Sequence, residues 1–159
     1  MARLKLFKDP NKILRAQNLL LEFPLNKDTR ELIDAMKFAC KKFRGVGLAA
    51  PQIGKNLRLA IIDIGDLELP AFPIINPKII STSKLQTVME EGCLSIPGRY
   101  GNVKRPEKVT VEFFSPEGKK IKIEVEGFIA KVFQHEIDHL QGEIISDKWD
   151  KETIREQEA

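Results

Sequence analysis

The chain has 159 residues, 42% hydrophobic and 31% charged, with 26 Lys and Arg against 23 Asp and Glu. That is room for one domain with a sizeable apolar interior, and not for two comfortable ones. The net charge of +3 is spread through interleaved acids and bases, which argues against direct nucleic-acid binding, and no apolar run approaches the ~20 residues of a membrane helix.

The opening MARLKLFKDPNKILR lacks the apolar core of a secretory signal and carries Asp9 and Pro10 early, so no targeting peptide is expected. Asp28 to Phe43 reads as a helix. Asp28 serves as its cap with Glu31 completing a capping box, Leu32, Ile33, Met36, Cys40 and Phe43 recur at helical spacing, and Gly45 is the stop. Cys40 then sits on an apolar face as a small buried hydrophobe. With Cys93 the only other cysteine, there is no disulfide framework, and a reducing, cytoplasmic setting follows. Gly45 to Gly54, GVGLAAPQIG, has small residues, a proline and no clear period, and reads as ordered loop or extended backbone packed closely against something.

Beyond it the chain is β-rich. Leu57 to Ile64 and Phe72 to Ile80 are apolar runs; KVTVEFF and KIKIEVE alternate as half-buried strands do, joined by a turn at Ser115 to Gly118. The short basic clusters Cys40 to Arg44 and Gly118 to Lys122 read as a solvated helix end and an exposed strand. From Phe128 to Gln141 the period becomes helical. Phe128, Ile129, Val132, Phe133, Ile137 and Leu140 cover most of the helix and leave Lys131, Gln134, Asp138 and Gln141 as a polar stripe. The expected architecture is a single α+β domain spanning residues 1–159. Antiparallel sheets pack around a buried C-terminal helix carrying H-E-x-x-H, with a second helix nearer the N-terminus.

Both histidines of the chain lie in QHEIDHLQG, four residues apart. Residues at that spacing share a helix face, so His135 and His139 can aim at one point. Glu136 stands about 100° round from His135, within reach of a water at that point but off the ligating line. Two imidazoles holding a metal while a carboxylate moves protons is the mechanical content of this motif. A chance arrangement would leave three polar groups near an apolar face without partners, at about 1–3 kcal/mol each. The third ligand is not where two common variants put it. Ile145 occupies the position of a third histidine, and the chain nearly ends before a downstream glutamate could serve; Glu143, Asp147 and Asp150 stand too close to swing back. Upstream, Cys93 lies in EEGCLSIPG, where Gly92 and Pro97 interrupt strand character and leave the sulfur on a turn or bulge. A thiolate and two imidazoles make three protein ligands with a fourth position open, the pattern of a catalytic site.

GVGLAAPQ (Gly45 to Gln52), EGCLS (Glu91 to Ser95) and HEIDH (His135 to His139), in that order, resemble the three motifs of the peptide deformylase family. The resemblance implies Cys93, His135 and His139 as ligands of one metal ion, usually Fe2+, with Zn2+, Ni2+ or Co2+ able to take its place. It implies Glu136 as general base and then acid, and Gln52 with the backbone N–H of Leu94 as oxyanion donors. The reaction would be hydrolysis of the formyl group of N-formylmethionine on nascent chains, releasing formate. Phe128 and Val132 lie within about 40° of the histidine direction and should wall the site, while Val46, Leu94 and Gly47 are similar to family positions that shape the methionine pocket or meet the peptide backbone. A pairing of Glu91 with Arg105 would hold the cysteine turn. Lys131 stands where arginine is common, and the tail after Trp149 is short beside relatives whose terminal helix docks on the ribosome, so ribosome association would be weak. A metal amidase for other N-acyl peptides, or a non-catalytic peptide- or metal-binding relative, are the competing readings.

Overall fold

The computed structural model describes residues 3–65 and 69–158. Among them a five-stranded antiparallel sheet is formed by β1 (Gly47–Ala49), β2 (Leu59–Ile62), β3 (Phe72–Thr82), β6 (Lys108–Phe114) and β7 (Lys120–Glu126), in that spatial order. A three-stranded antiparallel sheet runs β4 (Gln86–Cys93), β5 (Ile96–Pro106), β8 (Asp150–Glu156). Two helices complete the frame, α1 (Lys27–Lys42) and α2 (Gly127–Leu140). The α+β class with a buried C-terminal helix is the one expected.

The large sheet is covered on both faces where β1 to β3 run, which is why Leu59, Ala60, Ile61 and Ile62 are all buried instead of alternating. Ala60, Ile62 and Ile74 face α2 and meet Ala130, Val132, Phe133, Ile137 and Leu140. Leu59, Ile61 and Ile75 face the other way, against Ile33, Met36, Ala39 and Cys40 of α1. At β6 and β7 one face is solvated and the alternation returns. Their hairpin closes at Ser115 to Gly118, with the Gly118 N–H on the Ser115 carbonyl at 2.9 Å and Gly118 at φ +83°, as the spacing predicts.

Two boundaries of α1 differ from expectation. Its cap is Asn26, whose side chain accepts from the Thr29 N–H at 2.8 Å; Asp28 falls inside the first turn, where it only complements the helix dipole. At the far end Arg44, not Gly45, takes the left-handed conformation, at φ +57°. The Gly45 N–H reaches the Cys40 carbonyl at 2.9 Å and the Arg44 N–H the Lys41 carbonyl at 3.0 Å, the paired bonds of a left-handed helix ending. Gly45 is needed for another reason: a Cβ there would lie 2.8 Å from Leu94 Cδ1.

The small sheet was not legible as such. β4 and β5 form a hairpin whose register shifts between Gly92 and Cys93, so the cysteine sits on the expected bulge. β8, drawn from the charged tail, pairs with β5.

Candidate metal centre

Helix α2 brings the two imidazoles side by side, ring centroids 5.1 Å apart, and the β4–β5 hairpin carries Cys93 to them. Its Sγ lies 3.4 Å from His139 Nε2, and one ligand atom from each of Cys93, His135 and His139 falls within 4.8 Å of the other two. Metal bonds of about 2.0–2.3 Å at a tetrahedral angle span roughly 3.5 Å between donors, so the arrangement fits one ion. The donor chemistry fits as well. Burial opposes ionisation of the Cys93 thiol, but the charges and hydrogen bonds of His139 and His135 outweigh it and hold the thiol well below its ordinary value, toward the thiolate that binds metal.

Of the two imidazoles only that of His135 is held from behind, since His139 Nδ1 is buried without a hydrogen-bond partner among the described residues. Glu91 Oε1 lies 3.1 Å from His135 Nδ1, which leaves the opposite ring nitrogen for the ligand point. Glu91 is clamped by Arg105 through two bonds, Nε to Oε2 at 2.7 Å and a terminal nitrogen to Oε1 at 3.0 Å. The expected pair is therefore present, and the acid is 2% exposed. Burial opposes its charge, yet His135 and Arg105 keep the Glu91 carboxyl below its usual range. The remaining guanidinium arm donates to Asp138 at 2.9 Å. Asp138 and Gln134, read from the sequence as members of a polar stripe, are both buried. Gln134 is satisfied by the carbonyls of Pro106 and Ala130, each at 3.1 Å, and Asp138 by Arg105 and Lys148. Within the polar stripe of α2, Gln134 and Asp138 face the small sheet instead of water, while Gln141 at the helix end is exposed.

Glu136 is 4% exposed, and its Oε2 finds no hydrogen-bond partner among the described residues. Burial pushes its carboxyl above the ordinary value, against the opposing pull of His135 and His139. An unpaired buried carboxylate is costly and marks a place where a polar visitor is received. Space for it depends on Gly47, where a Cβ would stand 2.7 Å from Glu136 Oε1.

Gln52 is buried and its amide orientation is determined. Oε1 accepts from the Ala49 N–H at 2.9 Å, which turns Nε2 to Ser95 Oγ at 3.1 Å and toward Cys93 Sγ at 3.7 Å. Ser95 donates its own proton to the Phe7 carbonyl at 2.8 Å, so it can only accept from Gln52. Sequence reasoning gave Ser95 no role; its place two residues after Cys93 in EGCLS was the available signal. A cleft of ≈ 650 Å³ opens over these groups, and Val46, Gly47, Leu94, Phe128 and Val132 are all in its wall. Lys131 joins them, its Nζ donating to the Glu90 carbonyl at 3.2 Å and lying 4.8 Å over the Phe128 ring. Cys40 takes no part: it is fully buried and its thiol is pushed up to about 12, first by burial and then by Glu136 and Asp63.

A sequence profile described as Polypeptide deformylase matches residues 3–155. The chain belongs to that family. It is 47% identical over 124 residues to the peptide deformylase of Halothermothrix orenii, covering 78% of this chain and 79% of that one. It is 42% identical over 148 residues to the peptide deformylase of Symbiobacterium thermophilum, covering 93% and 67%. Its fold superposes on the crystal structure of the Thermotoga maritima peptide deformylase with a TM-score of 0.89 at 31% identity, over 94% of this chain and 99% of that one. As a peptide deformylase by family, the chain is a metal-dependent hydrolase that removes the N-formyl group from newly made N-formylmethionyl peptides. Among the described residues no helix is long and apolar enough to cross a membrane.

Proposed function

We propose that Cys93, His135 and His139 hold one ferrous ion, that Glu136 moves the protons of deformylation, and that Gln52 and the Leu94 backbone N–H receive the developing oxyanion. The observation that supports this reading above all is the convergence of three ligand atoms within 4.8 Å beside a buried carboxylate with a free oxygen.

When bound, the ion supplies Lewis acidity, polarising the formyl carbonyl and bringing the pKa of water toward neutrality. The chain's own residues do the rest. Glu136 takes the proton of the attacking water and later returns it to the departing amine. Its raised pKa suits both halves, since a carboxyl that protonates readily is also an acid of useful strength near neutral pH. Negative charge gathers on the formyl oxygen as water adds to the carbon. Gln52 Nε2, fixed on the cysteine side by Ala49 and Ser95, donates to that oxygen together with the Leu94 N–H. A donor locked before the reaction pays no reorganisation as the charge forms.

Val46, Leu94, Phe128 and Val132 give the cleft an apolar wall for an unbranched side chain, and the main chain at Gly47 receives the peptide. Ferrous iron is the family's usual ion; zinc, nickel or cobalt suit the same thiolate and imidazoles. The chain acts as one domain, in the cytoplasm, where its thiol ligand stays reduced and nascent chains are made.

The test is formate release by anaerobically purified protein, with metal content measured on the same sample. A formyl-Met peptide should be cleaved and the matching acetyl-Met peptide left intact. Equal cleavage of both would favour a broader N-acyl amidase, and a fully metal-loaded protein that releases no formate would overturn the assigned roles.

A further inference from the structure

The residues after α2 come back to the cysteine hairpin at three points. Trp149, 5% exposed, donates its indole N–H to the main-chain carbonyl of Glu91 at 3.0 Å, two residues before Cys93. The ring has room because residue 101 is glycine: a Cβ there would stand 2.8 Å from two indole carbons. Lys148 Nζ lies 3.3 Å from Asp138, the acid that also receives Arg105, whose other nitrogens clamp Glu91. On β8, Arg155 pairs with the Glu90 carboxylate, Nε to Oε2 at 2.7 Å, and its guanidinium lies 4.7 Å over the Tyr100 ring.

These contacts fall where the hairpin is least supported. Among the described residues β4 is an edge strand with β5 as its one neighbour, and the ladder shifts register between Gly92 and Cys93. The sulfur therefore stands beyond the last regular rung, and bonds from outside the hairpin must fix the main chain that carries it. Trp149 also packs in the apolar cluster with Ile96, Val103, Ile144 and Ile145, on which Cys93 rests.

We propose that the tail is part of the metal centre, with Trp149 and Lys148 acting as positioning residues that hold the Glu91–Cys93 main chain and the Glu91–Arg105–Asp138 cluster, and so set how long the site keeps its ion. The inference rests on Cys93, His135 and His139 being the ligands. Trp149 removes a fluctuation that would swing the thiolate away; Lys148 balances the second acid of the cluster, so that Arg105 stays committed to Glu91.

The experiment replaces Trp149→Phe, which keeps an aromatic ring in the cluster and removes the N–H donor. Parent and variant are loaded with Co2+ to one ion per chain and challenged with excess chelator while the thiolate–cobalt absorption is followed. One lost hydrogen bond predicts metal loss about fivefold faster in the variant, with kcat of the loaded form within about twofold of the parent; because the bond joins two parts of the chain itself and needs no ion, the melting temperature of the metal-free chain falls by about 2–4 °C. Loss at the parent's rate would overturn the proposal, as would equally fast loss from Ile33→Val, a variant weakened by a similar amount in the α1 core away from the hairpin, which would make the indole merely structural. Should Trp149→Phe fail to fold, Lys148→Met carries the same test with the same two overturning results. A parent that binds Co2+ without thiolate absorption would instead sink the ligand assignment, and this inference with it.

Discussion

Helix α2 is gripped from two sides by regions of opposite character. Toward the large sheet it presents Ala130, Val132, Phe133, Ile137 and Leu140, packed on Ala60, Ile62, Ile74, Val111 and Phe113 without a polar atom to satisfy. Toward the small sheet it presents Gln134, His135 and Asp138, each matched to a partner on β4 or β5. Burial of apolar area is cheap to arrange and strongly stabilising, at about 25 cal/mol per Å². A buried set of charges roughly breaks even, because desolvation offsets attraction. The division assigns stability to one side of the helix and chemistry to the other, and mutations should separate the two.

The largest effect expected is on the chemical side. Glu136→Gln should lower formate release by about 10³ in kcat, within the range for loss of a general acid–base group. Stability should move the other way. Burial holds the Glu136 carboxyl above its ordinary 4.5, so folding favours the protonated form. That contribution is fully present below 4.5 and is lost as pH rises through the folded value. The neutral amide escapes the loss, so the metal-free variant should resist denaturant better than the metal-free parent near neutral pH, with the gap closing on acidification toward 4.5. A variant less stable than the parent at neutral pH would show that the carboxylate helps to hold the fold, and the division would fail.

The converse is Phe133→Ala. Phe133 is 1% exposed and rests against Phe72 and Phe113, with centroids at 6.2 Å from each. Removing the ring should cost about 3–5 kcal/mol, read from the midpoint of denaturant unfolding. The molecules still folded should keep kcat within a few-fold, because no polar contact of the site passes through that ring. A loss below about 1 kcal/mol would mean the core collapses around the gap; a collapse in kcat would mean that the two faces of α2 are mechanically coupled.

The same division explains how much could be read from the chain. Apolar periodicity is a signal of burial, so the β6–β7 hairpin and α2 were visible in KVTVEFF, KIKIEVE and the helical run from Phe128. The small sheet carries little of it. QTVMEEGC and DKETIRE become strands by backbone pairing with β5, and a charged tail that merely supplies main-chain bonds has no pattern to announce it. The site was legible wherever its residues are chemically rare, as with Cys93, His135 and His139. It was not legible where an ordinary residue matters by position. Asp138 read as one more member of a polar stripe, and only the fold reveals Arg105 above it. Ser95 and Trp149 act through hydrogen bonds to distant partners, a separation no local pattern encodes.

The smallest expected effect concerns an ion pair outside the buried cluster. Arg15 meets Asp147 with both prongs, at 2.8 and 2.9 Å, tying the N-terminal segment to the turn after α2. Their side chains are 46% and 43% exposed, so water screens what the geometry would otherwise give. The Arg15 hydrogen bond holds the Asp147 carboxyl below its ordinary 3.8. A depressed value in the folded state stabilises above 3.8, and that contribution disappears as pH falls through the folded value. Asp147→Asn should therefore cost about 0.5 kcal/mol near neutral pH, less in high salt, and nothing in strong acid. Asparagine can still accept the Ile144 N–H, which reaches Oδ2 at 3.2 Å, so the measured loss isolates the charge. If the loss instead approached the several kcal/mol expected for breaking a buried pair such as Glu91 with Arg105, exposure would not be what separates the two, and the sorting of polar contacts by burial would have to be abandoned.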